Sequence, residues 1–383
     1  MNFKDMDMSR IYMDNAATTA LYPEVAEETA SLMKSVYGNP SSLHAEGTEA
    51  KKILNRARSM IAESIGCSSG EIYFTSGGSE ADNWAIIGTL KKLYSAGKKH
   101  VVTTNIEHPA VFNTLVKNNI DTTSVPVNGE GYIGSSDIKT ALRDDTALVT
   151  VMYANNEIGT IQPIKEIAEI CKKHGVPFHT DAVQAAGHIA INVKEIGCDM
   201  LSLSAHKFHG PKGIGALYIK DGINLPGMIV GGGQEHSGRA GTENFIAAYS
   251  MALALKKSLE NIDEKNKKTA AVRDKLIEGI SQIEGARING GKDRLPGNVS
   301  ACFNGIDGEA LMLLLDLKGI AASSGSACSS GLLKISHVLS ALGLPYDTAR
   351  GSLRLSLCEY NTHEEADYVL GALREAVIKL REL

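Results

Sequence analysis

Two glycines and a serine form the first segment that could do chemistry. Gly77, Gly78 and Ser79 stand between a short apolar run and a stretch with helical periodicity. Glycines allow a tight turn with exposed backbone N–H groups, and the dipole of a helix N-terminus favours an anion. The segment therefore fits a phosphate cradle, and it fits equally well an ordinary turn with Ser79 as helix N-cap. It is not a Walker A loop, because no Gly-Lys-Ser/Thr follows.

An aspartate that follows the apolar run 176–178 is the second candidate. Asp181 would lie at the carboxyl end of a parallel strand, which faces the crevice where α/β folds bind ligands. Its carboxylate could hold a cationic ring nitrogen, and Gln184 could bond a neighbouring oxygen atom. Taken alone, Asp181 fits a helix N-cap better.

A lysine among small residues is the third candidate. Lys207 comes just past a predicted strand, close to Ser204 and several glycines. Such a place can desolvate the amine and lower its pKa, which makes it a nucleophile able to form a Schiff base. His206 and His209 could indicate a metal ion, but no third ligand follows at a suitable spacing. We therefore predict no metal site.

These three signals occur together and in a meaningful order. A phosphate cradle, an acid for a ring nitrogen and a Schiff-base lysine, all at strand ends, are the parts of an enzyme that uses pyridoxal 5′-phosphate (PLP). Each signal is weak alone, but their joint occurrence is much less frequent by chance. We predict PLP as the cofactor.

The elements that must position these residues follow from the alternation of apolar runs with amphipathic stretches. Seven runs predict strands at residues 71–75, 100–104, 121–125, 147–153, 176–180, 199–202 and 215–220. The alternation indicates an α/β fold with a mostly parallel, seven-stranded sheet. We assign residues 15–260 to this large PLP-binding domain, and residues 1–14 and 261–383 to a smaller α+β domain. A long helix is predicted from about residue 242 to residue 283.

Composition and charge exclude several classes of protein. The chain has 383 residues, of which 43% are hydrophobic and 22% charged, and its net charge is −5. This balance excludes a disordered chain and gives no global attraction to nucleic acid or to an anionic membrane. No apolar run reaches the roughly 18 residues of a membrane span. The six cysteines form no Cys-x-x-Cys pair, which indicates a reducing, cytoplasmic setting.

Further segments carry a resemblance to a known family. They are Tyr12-Met13-Asp14-Asn15-Ala16-Ala17-Thr18-Thr19, Tyr37-Gly38-Asn39-Pro40-Ser41-Ser42, Glu107-His108, Asn155-Asn156-Glu157-Ile158-Gly159, Gly231-Gly232-Gly233-Gln234-Glu235, Arg239-Ala240-Gly241-Thr242, 323–331 and Arg354-Leu355-Ser356. Together with the Lys207 segment, they make the chain resemble the class V PLP enzymes of fold type I. Within that class it resembles the NifS/IscS-type cysteine desulfurases.

The resemblance implies roles around the cofactor ring. Lys207 would form the Schiff base and later move the proton on the substrate's α-carbon. His108 would stack on the ring and act as an acid–base group, the alternative being a packed or exposed loop histidine. Asp181 would keep the pyridine nitrogen protonated, and Gln184 would bond the phenolic oxygen.

The resemblance also implies a phosphate site shared between two subunits. Gly78, Ser79, Ser204 and His206 would hold the phosphate, and Thr242 would reach it from a second subunit. We therefore expect a homodimer with shared active sites. Ser79 departs mildly from the family, in which threonine is common, and it keeps the hydroxyl group.

Two residues would bind the substrate, L-cysteine. By resemblance these are Asn156 and Arg354, and the Arg354 guanidinium would bind the substrate carboxylate through two hydrogen bonds. The alternative for Arg354 is a surface salt bridge.

Cys328 is the implied nucleophile. Its loop of serine, glycine and alanine can move, and a thiolate there would attack the sulfur of L-cysteine. The products would be L-alanine and a persulfide on Cys328. The acceptor of the sulfur would be a protein, either an iron–sulfur scaffold or an enzyme of tRNA or cofactor thiolation. Cys328 could also ligate a cluster transiently.

Cys67 shares the Cys-Ser-Ser-Gly string, but we interpret it as a bystander that follows a helix.

Two features bear on the subgroup and on the alternatives. The loop after Cys328 runs on to Ser336 and is long, as in the NifS/IscS group. The sequence ends at Leu383 without the longer tail by which housekeeping members dock a scaffold, which puts that partnership in question. The alternatives are a selenocysteine lyase or another PLP-dependent lyase and, from a different class, a persulfide carrier or regulatory subunit with little turnover.

Overall fold

A computed structural model of the chain describes residues 10–324 and 335–382. The strands in these ranges are β1 (Ile11–Tyr12), β2 (Ile72–Thr75), β3 (His100–Thr104), β4 (Thr122–Val125), β5 (Thr146–Thr150), β6 (Phe178–Asp181), β7 (Met200–Ser204), β8 (Gly215–Ile219), β9 (Ala286–Ile288), β10 (Asn298–Phe303), β11 (Ile320–Ala321) and β12 (Ser352–Ser356). The helices are α1 (Pro23–Ser35), α2 (Ala45–Ile65), α3 (Gly78–Leu93), α4 (Pro109–Lys117), α5 (Ser135–Ala141), α6 (Ile164–His174), α7 (Val193–Ile196), α8 (Phe245–Leu259), α9 (Ile262–Ser281), α10 (Gly308–Leu317), α11 (His337–Ala341), α12 (Tyr346–Arg350) and α13 (His363–Arg381). None of the described helices has both the length and the apolar character needed to span a membrane.

The predicted seven-stranded sheet is confirmed. Its strand order is β2-β8-β7-β6-β5-β3-β4. Six of these strands run in one direction, and β8 runs in the opposite direction between β2 and β7. Every residue of β3, β5, β6, β7 and β8 is buried. Strands of a mostly parallel sheet have helices on both faces, which is why these runs are apolar or small at nearly every position.

One edge of the large sheet gathers the candidate residues. Strands β2, β6 and β7 run in the same direction, so their carboxyl ends lie at the same edge. They lead into Gly78, Asp181 and Lys207 respectively. The order of these strands therefore brings together three segments that are far apart in the sequence.

A second sheet and a second core lie toward the C-terminus. Strands β9, β10 and β12 form an antiparallel sheet, and β1 pairs in parallel with the short β11. Side chains of α9, α10 and α13, among them Leu276, Leu311 and Leu373, pack with β10 and β12 in a core separate from that of the large sheet. The boundaries of the two predicted domains stay a prediction, and Leu339 and Leu342 from the C-terminal part pack into the larger core.

The single long helix predicted from residue 242 to residue 283 is wrong. Helix α8 ends at Leu259, Glu260 is extended, and Asn261 adopts the left-handed conformation with φ 52° before α9 begins. Asparagine tolerates this conformation better than most residues, because its short polar side chain can bond locally. The apolar periodicity of the sequence continues from α8 into α9, so the periodicity does not indicate the turn between the two helices.

Candidate active site

The glycine segment forms the tight junction between β2 and α3. Gly77, not Ser79, is the N-cap residue, and no side chain caps the helix. A Cβ atom on Gly78 would lie 2.6 Å from Cγ2 of Val183, so only glycine fits there. Ser79 is exposed in the first helical turn. The structure therefore rules out the N-cap interpretation of Ser79 and leaves the first N–H groups of α3 available to an anion.

Asp181 ends β6 and is buried. Its Oδ1 accepts a hydrogen bond of 2.9 Å from the backbone N–H of Val183, and the chain then continues as a turn rather than a helix. The helix N-cap interpretation of Asp181 is therefore wrong. Burial raises the pKa of Asp181, while the charges of His108 and Lys207 counter this effect.

Further acidic groups, to which no sequence motif assigned a role, lie close to Asp181. Side-chain oxygen atoms of Asp82 and Asp181 and a ring nitrogen of His108 lie within 4.8 Å of one another. Burial, then the charge of Asp181, raises the pKa of Asp82. Burial raises the pKa of Glu107 to about 8. An acid inside a helical apolar face, as Asp82 is in α3, was the signal that could have revealed this cluster.

A histidine stands behind this cluster. The ring of His179 lies between two hydroxyl groups, with Nδ1 2.8 Å from Oγ1 of Thr150 and Nε2 2.9 Å from Oγ of Ser202. Its Nε2 is also 3.7 Å from a carboxylate oxygen of Asp82. Burial lowers the pKa of His179 to about 3, so the ring is neutral. Among the described residues, the Asp82 Oδ1 that faces it has no hydrogen-bond partner.

Lys207 and Gln184 converge on one stretch of backbone near the N-terminus. The Lys207 Nζ donates to the carbonyl oxygen atoms of Ala16 at 2.6 Å and of Ala17 at 2.8 Å. The Gln184 Nε2 donates to the same Ala16 oxygen at 2.9 Å. We call residues 14–17 the N-terminal strap, and it lies directly against the lysine.

Arg354 of β12 reaches the same strap from the second sheet. Its Nη2 donates to Oδ1 of Asp14 at 2.9 Å, and its Nη1 donates to the carbonyl oxygen of Asn156 at 3.1 Å. The side chain is buried, so the surface salt bridge considered above is excluded. Within the described residues, its Nε has no hydrogen-bond partner. A buried N–H group without an acceptor is costly and is suited to a ligand carboxylate.

Asn156 and His108 flank this region. Asn156 meets Arg354 through its backbone, and its half-buried side chain is distinct from that of Asn155, which is buried and bonds the backbone of the turn. His108 caps α4 by accepting from the N–H of Ala110 at 3.1 Å. Burial lowers the pKa of His108, which favours the neutral ring.

The remaining phosphate candidates differ in exposure. Ser204 is buried at the end of β7, and a Cβ on Gly77 would lie 3.8 Å from its Oγ. His206 Nδ1 lies 3.2 Å from Oγ1 of Thr18, and burial, followed by the charge of Lys207, lowers the pKa of His206 to about 4. Thr242 is exposed, on the loop before α8.

Cys328 lies outside the described residues. Among the other cysteines, Cys171, Cys198 and Cys302 are buried, while Cys67 and Cys358 are half-buried. Burial raises the pKa of Cys67 to about 12, so its thiol is protonated at neutral pH. This agrees with the prediction that Cys67 is a bystander.

The residues at this edge fit PLP. Three buried carboxyl groups have raised pKa values, and a protonated pyridine nitrogen beside Asp181 would supply the positive charge that stabilises their ionised form. The N-terminus of α3 offers N–H groups to a phosphate, and the Lys207 amine lies at the same edge. The fold and this group of residues define a PLP-dependent enzyme of fold type I.

Comparison with known proteins places the chain more closely. The family described as Aminotransferase class-V matches residues 11–369. The chain is 50% identical to a cysteine desulfurase IscS from Clostridium botulinum, over 98% of this chain and 96% of that protein. It is 47% identical to a cysteine desulfurase IscS from Methanosarcina thermophila, over 97% of this chain and 93% of that one. A solved NifS-like protein superposes with a TM-score of 0.91 at 37% identity, covering 97% of this chain and 100% of the other.

The chain therefore belongs to the class V aminotransferase family, whose members depend on PLP, and within it to the NifS/IscS-type cysteine desulfurases.

Proposed function

We propose that this protein is a PLP-dependent cysteine desulfurase that converts L-cysteine to L-alanine and leaves a persulfide on Cys328. The observation that carries the proposal is the convergence on the N-terminal strap. Lys207, Gln184 and Arg354 come from three distant segments, and all bond residues 14–17. This convergence supports a site in which an amine and a guanidinium act on the same amino-acid substrate, and among the described residues the buried Arg354 Nε has no hydrogen-bond partner.

The residues divide the work of binding and proton transfer. When bound, PLP supplies an electron sink that stabilises negative charge at the substrate's α-carbon. Asp181 holds the proton of the ring nitrogen, and Lys207 Nζ takes the proton from the α-carbon. Arg354 binds the substrate carboxylate, with Asn156 beside it. Gly78, Ser79, Ser204 and His206 hold the phosphate, and Gln184 and His108 hold the ring.

The sulfur transfer belongs to Cys328. Its thiolate attacks the substrate sulfur, so a new S–S bond forms as the substrate's C–S bond breaks. The electron pair of the C–S bond stays on carbon and takes up a proton, which leads to alanine. The persulfide keeps both sulfur atoms until a thiol or an acceptor protein removes one.

Paired variants at two similar strings test the nucleophile. In the presence of a thiol reductant, Cys328→Ser should abolish sulfide release from L-cysteine, while Cys67→Ser should keep it, although both residues stand in Cys-Ser-Ser-Gly. Alanine and sulfide are measured together, with the cofactor absorbance as a check on folding. Full sulfide production by Cys328→Ser would contradict the assignment.

Substrate preference separates the desulfurase from the other lyases. Direct elimination from selenocysteine or cysteine sulfinate needs no thiol nucleophile, so these substrates should still react in Cys328→Ser. We expect L-cysteine turnover to depend on Cys328, and turnover of the two analogues to persist without it. An enzyme that turned over only selenocysteine would be a selenocysteine lyase. An assay that stayed blank with every candidate acceptor would favour a persulfide carrier.

The exposed Thr242 supports a homodimer with shared sites. If Thr242 completes the phosphate site of the partner subunit, a mixed dimer of Lys207→Ala and Thr242→Ala subunits contains one intact site. At equal amounts, random exchange makes half of the dimers mixed, each with one intact site of two, so mixing the two inactive or weakened variants should restore about a quarter of the parent activity. If Thr242 acted in its own subunit, no intact site would form and mixing would restore nothing.

The acceptor and the compartment are further parts of the proposal. We place the enzyme in the cytoplasm, passing sulfur to an iron–sulfur scaffold or to a thiolation enzyme. Radioactive sulfur from L-cysteine would label the acceptor in a lysate of the native host, and Cys328→Ser serves as the blank. Labelling of a scaffold protein or of a tRNA-thiolation enzyme decides between the two pathways.

A further inference from the structure

Three possible metal ligands lie close together outside the group of residues described above. His209 follows Lys207 by two residues, whereas Cys358 and Glu359 follow β12 near the other end of the chain. One ligand atom of each lies within 4.8 Å of the other two. They line a cavity of about 20 Å³, which is room for about one ion or water molecule. The proposed reaction uses none of these three side chains.

The histidine presents an unpaired nitrogen to this cavity. The His209 Nδ1 lies 2.8 Å from the carbonyl oxygen of Ala20, which can only accept, so Nδ1 carries the hydrogen. Its Nε2 is buried and has no hydrogen-bond partner among the described residues. Histidines that bind metals are held in this way, with one nitrogen fixed by a backbone carbonyl and the other left as ligand.

The carboxylate is held in a matching way. The Tyr22 hydroxyl donates to Oε1 of Glu359 at 2.7 Å, and the Lys265 Nζ lies 3.7 Å from the same oxygen. The other oxygen, Oε2, faces His209 Nε2 at 3.5 Å. Both atoms can accept a hydrogen bond, so either a proton or a metal ion can bridge them.

The third ligand is a thiol anchored by its own backbone. The Cys358 N–H donates to Oδ1 of Asn361 at 3.0 Å, which fixes the turn after β12. Imidazole, thiolate and carboxylate together are ligands typical of Zn²⁺, whereas Mg²⁺ and Ca²⁺ prefer oxygen alone.

We propose that His209 Nε2, Cys358 Sγ and Glu359 Oε2 form a binding site for a divalent transition metal ion, with Zn²⁺ the best match. On binding, the Cys358 thiol gives up its proton to solvent, and a water molecule takes the fourth position. The ion ties the segment after Lys207 to the strand that carries Arg354. No sequence spacing predicts the site, because two of its ligands are far from His209 in the chain.

The experiment uses the PLP-loaded enzyme with Cys328→Ser, so that the nucleophile cannot bind metal, after chelator treatment. Titration with Co²⁺ should produce visible d–d bands of a thiolate-bound ion, saturating at one Co²⁺ per chain, and Zn²⁺ should remove them. Adding Cys358→Ser or His209→Gln should weaken binding at least 10-fold. Adding Cys67→Ser, which removes another half-buried thiol, should leave binding unchanged.

A graded variant tests the geometry. Tyr22→Phe keeps all three ligands but removes the hydroxyl that orients Glu359, so it should weaken Co²⁺ binding about 10-fold. The proposal is overturned if the parent binds no Co²⁺, which would mean that a proton on His209 satisfies the contact. Binding equal to that of the parent in Cys358→Ser and His209→Gln also overturns it. Cofactor absorbance and melting temperature check folding. If His209→Gln does not fold, Cys358→Ser decides the test, because Cys358 is only half-buried and its replacement disturbs the core less.

Discussion

Single residues acquire their chemical roles here from what surrounds them. Lys207 and Asp181 have the residue types that a PLP enzyme needs, and the sequence identified both. The pairing of Arg354 with Asp14 and the unpaired Nε of its guanidinium depend on burial that no local pattern predicts. The same holds for Asp82, whose raised pKa comes from burial beside Asp181.

Arg354→Lys should weaken substrate binding more than it weakens the chemical step. A lysine has one ammonium group in place of the planar fork, so it can keep the contact with Asp14 but cannot also bind a carboxylate through two bonds. We expect the KM for L-cysteine to rise about 10-fold or more and kcat to fall less. Steady-state kinetics measure both values. An unchanged KM would remove Arg354 from the substrate site.

Cys67 should be unreactive in the folded enzyme. With its pKa raised by burial to about 12, only about one thiol in ten thousand is ionised at pH 8, and the thiolate is the reactive form. A disulfide reagent should therefore label Cys67 only after unfolding, as followed by mass spectrometry of peptides. Labelling of Cys67 in the native enzyme as fast as that of a free peptide thiol would contradict the burial.

Close approaches between elements explain why particular glycines stand at the junctions. The start of α3 packs against the turn after β6, and a Cβ on Gly78 would lie 2.6 Å from Cγ2 of Val183. On Gly371, within α13, a Cβ would meet no atom within 4 Å. Periodicity located α3 and α13, but only their packing shows which of the two glycines is required.

Gly78→Ala and Gly371→Ala should therefore have opposite effects. The first should cost about 1–3 kcal/mol of unfolding free energy and weaken PLP retention, because the new methyl group displaces Val183 and the phosphate cradle. The second should stabilise the protein by roughly 0.5–1 kcal/mol, since alanine favours a helix. Denaturant unfolding and cofactor absorbance measure the two effects. Equal effects from both substitutions would contradict this account.

A buried ion pair fastens the glycine-rich loop to the large sheet. Glu235 accepts from Arg58 of α2 at 2.7 and 2.8 Å and from the N–H of Phe74 in β2. Glu235→Gln leaves the buried guanidinium without its charge partner and should cost about 3–5 kcal/mol. Glu264→Gln, in the exposed pair with Lys268, should change stability by less than about 0.5 kcal/mol. Similar losses in both variants would argue against the role of burial.

Buried carboxyl groups lower the free energy of unfolding of the whole molecule when they are ionised. Burial raises the pKa of Glu157 from 4.5 to about 7, although the Ser336 hydroxyl and the charge of Arg354 oppose this. Between these two pH values the folded protein holds a proton that the unfolded chain has lost. The free energy of unfolding therefore falls as the pH rises through this range, by about 3 kcal/mol from this one group.

Glu157→Gln should remove that part of the pH dependence. The amide can still accept from Ser336, and it has no charge to bury. We expect the variant to match the parent below about pH 4.5 and to be more stable above pH 7, as urea unfolding at a series of pH values would measure. A difference between variant and parent that did not grow from pH 5 to pH 7 would contradict the shift.

The sequence alone determined the element types, the seven strands of the large sheet and the local motifs at Gly78, Asp181 and Lys207, because periodicity, turns and strand ends are written in neighbouring residues. Its one clear error in the fold, the helix across Asn261, arose where a single residue's backbone conformation overrode a continuing apolar pattern. Only the tertiary structure decided that the N-terminal strap holds Lys207 and Arg354, and that His209 meets Cys358 and Glu359. These contacts join segments about 150 to 340 residues apart in the chain. Their free energy comes from burial that exists only after the chain has packed.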